Sequence, residues 1–314
     1  MIRKIKDFFN THPQLKKYTI LPFLLYRKFL IAGLDKKIKS GHLLDGESQK
    51  AKDSWMKRSR IINESSDIKY IKGVEDAGKF KNGWIIMHNG LKVNPFCFYG
   101  LGGIYMIMEN KGMHEPQEER VFEAVIKSMR EGAVMLELGS YWAFYSMWFS
   151  KIVKNAKTYL IEPDGLNLKY GSINMKANGL KATAVCQAFV GASSSIDHKK
   201  QRTVCIDDFV KEYNIPFIDI LHSDIQGYEL DMLKGAINTI EAKKIGYVFI
   251  STHSNDLHAQ CLDFLNKYGF ISIASANRTQ SYSYDGVLVM RAPYYDGIGQ
   301  IEISLRGVEK TVPA

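Results

Sequence analysis

From about residue 113 onward, short apolar runs alternate with stretches in which apolar residues recur at helical spacing. The runs predict buried strands and the amphipathic stretches predict helices. The predicted strands are 133–138, 158–161, 182–189, 218–222 and 246–251, with a closing pair at 270–276 and 286–291; the predicted helices begin at 116, 144, 165 and 257, with one more after residue 222. This alternation is typical of a parallel sheet with helices on both faces.

Residues 1–112 lack this alternation and combine basic helical stretches with a Gly-rich aromatic segment. Residues 83–93 predict a hairpin whose turn is Asn89-Gly90, and residues 97–105 are expected to continue it with a flexible centre. We therefore divide the chain into a basic helical and hairpin N-terminal extension (1–112), an α/β domain (113–296) and a C-terminal tail (297–314).

Positive charge is concentrated near the start of the chain, whose formal net charge is +9. The cations before residue 40 are Arg3, Lys4, Lys6, Lys16, Lys17, Arg27, Lys28, Lys36, Lys37 and Lys39. A basic arm of this kind can bind nucleic acid, anionic lipid or an acidic glycan, and a solvated helix face is the alternative.

The first apolar run, residues 18–34, is interrupted by Pro22 and by Arg27-Lys28, which makes it too charged to span a bilayer. We expect the helix in this run to dock onto the rest of the protein, with association of residues 1–40 with a membrane surface as the alternative. The four cysteines are far apart and form no CxxC pair, which favours a reducing compartment. The predicted location is the cytoplasm, and a peripheral position at the inner face of the membrane is the alternative.

Acidic residues stand where the first two strands of the α/β domain end. Glu137 and Gly139 close the first strand, and Glu162 follows the second strand 25 positions later. In Rossmann-like sheets an acid at the second strand end binds ribose hydroxyls, whereas an ordinary strand-to-helix turn is the alternative for each acid alone. The turn 139–144 lacks the Gly-x-Gly-x-x-Gly pattern, which argues against a nicotinamide cofactor.

The most distinctive stretch follows the fourth predicted strand of this domain. It reads Ser223-Asp224-Ile225-Gln226-Gly227-Tyr228-Glu229, followed by Met232-Leu233-Lys234-Gly235-Ala236. This stretch resembles the hallmark of the FkbM family of methyltransferases, and the similarity covers roughly residues 113–291. It includes Glu137-x-Gly139…Ser146, Glu162-Pro163, Asn174…Asn178-Gly179 and residues 203–209. The resemblance implies a Rossmann-like class I fold with a mostly parallel seven-stranded sheet, and an S-adenosylmethionine-dependent O-methyltransferase of a family that acts largely on sugars and polyketides.

Two residues depart from the family pattern at the first turn: Ala143 replaces a glycine and Tyr141 replaces an asparagine. One methyl group narrows the space over the turn without closing it, and Tyr141 is placed to cover the cofactor. The residues expected to bind S-adenosylmethionine are Glu137, Gly139, Ser140, Tyr141, Ser146, Glu162, Asp164, Gln187, Asp224 and Gln117. His114, in the segment before the first helix, is a further candidate contact, with capping as the alternative.

A hydroxyl acceptor must lose its proton during methyl transfer, so the site needs a base. The catalytic candidates are Asp224, His253 and His222, and an unperturbed imidazole that titrates near pH 6.5 suits His253 for this task. Asp224 and His253 are also candidate ligands for a divalent metal ion that orients two hydroxyls. A structural histidine is the alternative. For Asp207-Asp208 we favour a helix N-cap over a metal pair.

The predicted function is methylation of a sugar hydroxyl in a glycan or a lipid-linked glycan precursor, with the aromatic segment 96–108 as a wall of the acceptor site. An RNA methyltransferase is the first alternative, prompted by the basic arm. Nucleic acid is not the expected partner, because no RNA-binding motif is present and residues 223–226 lack the Asn/Asp-Pro-Pro-aromatic pattern of amino-group methyltransferases. A non-catalytic binding protein on a methyltransferase fold is the second alternative, supported by Ala143 and Tyr141.

Overall fold

The computed structural model describes residues 20–307 of the 314-residue chain, which divides into two compact units, residues 1–52 and 53–314. The first unit contains helix α1 (Ile20–Lys39). The cations predicted to form a basic arm at residues 3–17 lie outside the described residues, as does the end of the predicted tail beyond residue 307. Within residues 20–307, no helix is both long and apolar enough to cross a membrane.

The second unit is built from strands and helices in alternation. Its strands are β1 (Phe80–Lys81), β2 (Trp84–Ile86), β3 (Lys92–Val93), β4 (Val134–Leu138), β5 (Lys157–Ile161), β6 (Ala184–Cys186), β7 (Phe189–Val190), β8 (Ser195–Ile196), β9 (Arg202–Val204), β10 (Ile218–Ser223), β11 (Ile245–Thr252), β12 (Ile271–Ala276) and β13 (Gly286–Arg291). The remaining helices are α2 (Gln49–Asn63), which begins in the first unit, α3 (Gly100–Glu109), α4 (Pro116–Lys127), α5 (Phe144–Ile152), α6 (Gly165–Ala177), α7 (Ile206–Glu212), α8 (Glu229–Lys234), α9 (Ile237–Glu241) and α10 (Asn255–Lys267).

Seven strands form the central sheet in the order β12-β13-β11-β10-β4-β5-β6. All neighbours are parallel except the two pairs that include β13. Strands β4, β10 and β11 are buried at every residue, as expected where both faces of a parallel sheet are covered. The predicted α/β class I fold with a mostly parallel seven-stranded sheet is confirmed.

The predicted hairpin at 83–93 is confirmed by antiparallel pairing of β2 with β3, with Gly90 at φ 77° in the turn between them. The flexible segment predicted at 97–105 is wrong. Pro95–Cys97 forms a 3-10 turn, and most of the remaining residues belong to helix α3. Apolar residues at helical spacing bury one side of α3 and offset the low helix propensity of its glycines.

The structure differs from the sequence-based prediction at two further places, both near helix α7. The N-cap of α7 is Cys205, so the capping role predicted for Asp207 or Asp208 at this helix is wrong. The buried Asp207 carboxylate instead accepts the backbone N–H groups of Asn238 and Thr239, at 3.1 and 2.8 Å, in the first turn of α9. The sequence also predicts one helix after β10, whereas the structure has two short helices, α8 and α9, joined at Gly235.

Residues 53–112 belong to the same compact unit as the sheet, although the predicted domain boundary stood at 112. The buried Asp67 carboxylate accepts hydrogen bonds from Arg120 on α4 and from the backbone of Ser304. The side chain of Asn174 on α6 accepts the backbone N–H of Asn94 at 2.9 Å. These bonds tie the first part of this unit, and part of the predicted tail, to the helices that cover the sheet.

Candidate active site

The carboxyl ends of β4, β5 and β10, which are neighbours in the sheet, form the base of the site. Gly139, directly after β4, has φ 69°, a conformation that favours glycine. A Cβ at this position would lie 1.8 Å from the backbone oxygen of Asp224, and the Asp224 N–H donates to Leu138 O at 3.0 Å. Only glycine therefore allows the first and fourth predicted strands of the domain to approach this closely.

Glu137 lies inside β4, one layer below the turn, and is only 3% exposed. Its Oε2 accepts the backbone N–H of Ser146 on α5 at 3.1 Å. Burial raises the pKa of the carboxyl to about 7, against the opposing influence of the imidazole of His222 on the neighbouring strand. Glu137 thus connects the strand to the first turn of the next helix.

Glu162 lies directly after β5 and binds the turn that follows β4. Its Oε2 accepts the Tyr141 N–H at 3.1 Å, and its Oε1 accepts the Asp164 N–H at 2.9 Å. Asp164 is exposed and serves as the N-cap of α6, where it accepts two backbone N–H groups. Gln187 is exposed and donates to Pro163 O at 3.0 Å. These three predicted contacts therefore share one edge of the site.

The two residues that depart from the family pattern both adopt positive φ angles, 43° at Tyr141 and 65° at Ala143. The Tyr141 hydroxyl donates to Cys97 O at 2.6 Å, and its ring stacks on Tyr99 with centroids 5.1 Å apart. Partial burial of the hydroxyl, followed by the charges of Asp224 and Glu162, raises the pKa of Tyr99. Tyr99 thus lies beside both strand ends. The sequence indicated the aromatic segment but not this residue.

Asp224 and His253 meet at the ends of β10 and β11, as their positions in the sequence predicted. The His253 Nε2 lies 3.3 Å from Asp224 Oδ1 and 3.5 Å from Asp285 Oδ1, and its Nδ1 lies 2.9 Å from Glu229 Oε1. Burial alone would lower the pKa of His253, but the surrounding carboxylates raise it to about 10. The expectation of an unperturbed imidazole is therefore wrong: His253 is protonated at neutral pH and cannot accept a proton there.

His222 occupies a different layer of the protein. It is 2% exposed, its Nε2 donates to Glu118 Oε1 at 2.7 Å, and its ring centre lies 4.2 Å from that of Tyr145. Burial opposes its charge, but hydrogen bonding to Glu118 and the nearby carboxylates raise its pKa overall. His222 is therefore the neighbour of Glu137 in the sheet, and its side chain contacts helices α4 and α5 through Glu118 and Tyr145 and not Asp224.

Helix α4 holds the other predicted contacts. The Gln117 side chain bonds to backbone groups of Gln280, Tyr282 and Ser304, which uses both its donors and its acceptor oxygen. His114 lies 2.7 Å from Glu119 Oε1 and stacks near Trp142. The cofactor contact predicted for Gln117 stays a prediction, and its observed bonds tie α4 to the chain that follows β12.

The metal site predicted at Asp224 and His253 finds no support in the arrangement of side chains. Among residues 20–307, no three His, Cys, Asp or Glu side chains are arranged to hold a metal ion. A protonated imidazole also has no lone pair to offer, since both ring nitrogens of His253 face carboxylates.

The groups at the strand ends fit S-adenosylmethionine. The hydroxyls of Ser140 and Ser223 are buried at the ends of β4 and β10 without a hydrogen-bond partner among residues 20–307. Glu162 Oε1 accepts from Asp164 N–H and from Asn167 Nδ2, and Oε2 accepts from Tyr141 N–H, so Oε2 keeps one lone pair for a ribose hydroxyl. The carboxylates of Glu162 and Asp224 favour a cation, as the sulfonium and the ammonium of this cofactor require.

Several solved structures are similar to part of this chain. Precorrin-6y C5,15-methyltransferase from Geobacter metallireducens is 13% identical, with a TM-score of 0.40 over 55% of this chain and 87% of that chain. Ribosomal protein L11 methylase from Lactobacillus delbrueckii subsp. bulgaricus is 11% identical, with a TM-score of 0.40 over 57% and 81%. TrmK of M. capricolum, in complex with S-adenosylhomocysteine, is 13% identical, with a TM-score of 0.36 over 56% and 69%. Similarity at this level indicates nothing about the acceptor.

No curated protein matches the chain. A family model, that of the methyltransferase FkbM domain, matches residues 115–272, which is half of the chain and includes Glu137, Glu162, Asp224 and His253. The match covers the strand ends described above, whose side chains suit the cofactor of this family. The chain belongs to the FkbM methyltransferase family and is an S-adenosylmethionine-dependent methyltransferase.

Proposed function

We propose that the protein methylates a hydroxyl group of a sugar, in a glycan or in a lipid-linked glycan precursor. The observation that carries this proposal is the Asp224 carboxylate, which is partly exposed after β10 and paired with a protonated His253. A carboxylate accepts hydrogen bonds from hydroxyl groups. The Asp224 carboxylate accepts from Gln226 Nε2 at 3.2 Å and pairs with His253, while the backbone of Asp224 contacts the Gly139 turn. The family resemblance, which implies acceptors that are largely sugars and polyketides, supports the same class.

The structure leads to a different base from the one that the sequence suggested. Bound S-adenosylmethionine supplies an electrophilic methyl group. The acceptor oxygen must lose its proton as it bonds to carbon, and we propose that Asp224 receives this proton. We propose that His253, whose Nδ1 bonds to Glu229 Oε1, keeps the Asp224 carboxylate oriented toward the acceptor through the ion pair between its Nε2 and Asp224 Oδ1. General bases of this kind contribute roughly 10²–10⁴-fold to a rate.

On the cofactor side, we propose that Glu162 binds the ribose hydroxyls and that Glu137 supports the turn from below. Helix α5 begins at Phe144, and the N-terminus of a helix favours a carboxylate such as that of the amino-acid tail. Ser140 and Tyr141 lie in the turn between these two positions. Asp164 and Gln187 lie at the outer edge of the site, beyond Glu162.

The test is methyl transfer from labelled S-adenosylmethionine into glycan, lipid and RNA fractions of cells, with and without a chelator. We expect label in the glycan or lipid-linked glycan fraction, at a rate that the chelator leaves unchanged. Label confined to RNA would contradict the sugar assignment. Loss of transfer on chelation, restored by a divalent metal, would return the metal role to Asp224 and its neighbours.

We also propose that residues 1–40 associate with the inner surface of a membrane, which would bring the enzyme to lipid-linked acceptors. Helix α1 ends in Lys36, Lys37 and Lys39, and Phe29 is 74% exposed on the same helix. Cationic side chains and exposed aromatics favour the surface of an anionic bilayer. Flotation with anionic vesicles should retain the intact chain and lose a chain that begins at residue 49; equal flotation of both would contradict the proposal.

A further inference from the structure

Arg58 lies on helix α2, outside the residues that the family model matches. Its guanidinium carbon lies 4.3 Å from the ring centre of Tyr284 and 5.6 Å from that of Trp55. Among residues 20–307 it forms no ion pair, and its Nε is buried without a hydrogen-bond partner. The aromatic rings therefore hold the plane of the cation in place while its donors stay unused.

An unused buried donor is costly, and proteins normally satisfy such a group with another residue, water or a ligand. A guanidinium has donors arranged in a planar fork, which matches the oxygens of a carboxylate or a phosphate. Stacking on aromatic faces leaves the edge of the fork free for such a partner. The chemistry of Arg58 therefore favours an oxyanion.

The position of Arg58 connects it to the acceptor side of the active site. Tyr284 is followed in the chain by Asp285, whose Oδ1 lies 3.5 Å from His253 Nε2. The same nitrogen lies 3.3 Å from Asp224. The charge of Arg58 also acts to lower the pKa of Asp285, against the larger effect of burial, which raises it. His253 and Asp285 therefore lie between Arg58 and Asp224, the proposed base.

A second cation lies within the loop that joins β12 to β13. Arg278 is exposed and donates its Nε–H to Tyr284 O at 2.9 Å. Arg58 and Arg278 therefore both contact Tyr284 in this loop. Both cations lie outside residues 115–272, so they belong to this chain's additions to the matched domain.

We propose that Arg58 forms an oxyanion subsite for the acceptor, and that the methylated sugar is acidic, carrying a carboxylate or a phosphate. This inference rests on the proposed sugar methyltransferase function and adds the substrate class. Arg58 binds the anionic group, while Asp224 receives the proton of the hydroxyl that is methylated. The residues that recognise the acceptor thus come from helix α2 and the β12–β13 loop.

The test measures binding and does not require turnover. Glucuronate, glucose 1-phosphate and glucose are titrated by calorimetry into the full-length protein loaded with S-adenosylhomocysteine. We expect at least one of the two acidic sugars to bind more tightly than glucose, and Arg58→Gln to weaken that binding at least tenfold. Arg60→Gln, at an exposed position on the same helix, is the matched control and should bind like the unchanged protein.

The carboxylate and phosphate arms identify which oxyanion the subsite takes. Arg58→Lys keeps the charge but loses the fork, so it should recover only part of the affinity. Unchanged S-adenosylhomocysteine affinity in each variant shows that the protein is folded. Equal binding of glucose and both acidic sugars, or an unchanged affinity in Arg58→Gln, would overturn the proposal. Arg58-dependent binding of a short single-stranded RNA, with neither acidic sugar bound, would overturn it as well.

Failure of the sugar function has a separate readout, because it is measured by the fate of labelled methyl groups. Arg58-dependent binding of an acidic sugar together with label only in RNA would retain the subsite and reject the sugar acceptor. Label in neutral glycans, with no Arg58-dependent binding, would retain the sugar acceptor and reject the subsite.

Discussion

At the scale of single residues, the chemistry depends on which member of the Asp224–His253 pair carries the proton. Two further carboxylates, Glu229 and Asp285, surround the imidazole and raise its pKa to about 10. A histidine in this state carries a proton on both nitrogens; Nδ1 bonds to Glu229 Oε1, and Nε2 forms an ion pair with Asp224 Oδ1 at 3.3 Å. Its function is therefore to hold Asp224 in position, and proton acceptance passes to the carboxylate.

Asp224→Asn removes the proposed base and one carboxylate beside His253. We expect kcat to fall by roughly 10²–10⁴-fold, and the pKa of His253 to fall below its original value of about 10. Kinetics and NMR titration of the imidazole measure the two effects. Asp231→Asn, at an exposed position on α8, is the control. Full activity of Asp224→Asn would reject the assignment of the base.

The same pair makes stability depend on pH. Because the folded-state pKa of His253 is raised, its stabilising contribution is present in full below its unfolded value of about 6.5. That contribution is lost as the pH rises through about 10. Urea unfolding at pH 7 and pH 10 should show this loss, and His253→Gln should reduce the difference. An equal pH dependence in both proteins would contradict the assigned charge.

Gly139→Ala tests how closely the two strand ends approach. The added Cβ would meet Asp224 O at 1.8 Å at a positive φ angle, so the turn must open. We expect a loss of about 2–4 kcal/mol in the free energy of unfolding, from left-handed strain and overpacking together, and weaker cofactor binding. Gly132→Ala has a similar φ of 73° and no atom within 4 Å, so it should show the strain alone. Equal losses in both variants would contradict the packing account.

At the scale of elements, helix α9 depends on a residue of helix α7. Asp207 accepts two backbone N–H groups in the first turn of α9, a capping role supplied from another helix. Asp207→Ala should lower the free energy of unfolding by about 1–2 kcal/mol, leaving kcat unchanged because the site is not touched. Asp208→Ala, whose side chain is exposed, should cost much less. Urea unfolding of both variants compares them.

The strands of the central sheet could be predicted because long apolar runs allow few other structures. Helix α3 could not, since its glycines predict flexibility and only its buried side favours a helix. Strands β7–β9 are each two or three residues long, too short for a pattern to appear. The sequence predicted Asp224 and His253 from their strand ends. Asp285 and Arg58 were missed because folding alone brings these distant residues to the site.

At the scale of the whole molecule, the methyltransferase fold extends beyond the matched domain. Residues 85–93 contribute fully buried side chains to the core, including Ile85, Met87 and Val93. The ion pair between Arg120 and the buried Asp67 also links the two parts of this unit. Removing residues 1–112 would expose this apolar surface and leave Arg120 without its partner.

A chain that begins at residue 49 should therefore fold and bind S-adenosylmethionine as the intact chain does, because it starts where α2 begins. A chain that begins at residue 113 should be insoluble or lose at least tenfold in cofactor affinity. Thermal unfolding and calorimetry compare the two proteins. Full cofactor affinity and cooperative unfolding of the shorter chain would show that residues 49–112 are dispensable for the fold.

The most direct test of the account identifies the product itself. The protein is incubated with a cell glycan fraction and S-adenosylmethionine carrying a deuterated methyl group, and the hydrolysed product is analysed by mass spectrometry. The account predicts a sugar with the deuterated methyl on a hydroxyl oxygen, formed by the unchanged protein and reduced at least a hundredfold in Asp224→Asn. A deuterated methyl found only on a nucleobase or an amino acid, or an equal yield from Asp224→Asn, would contradict it.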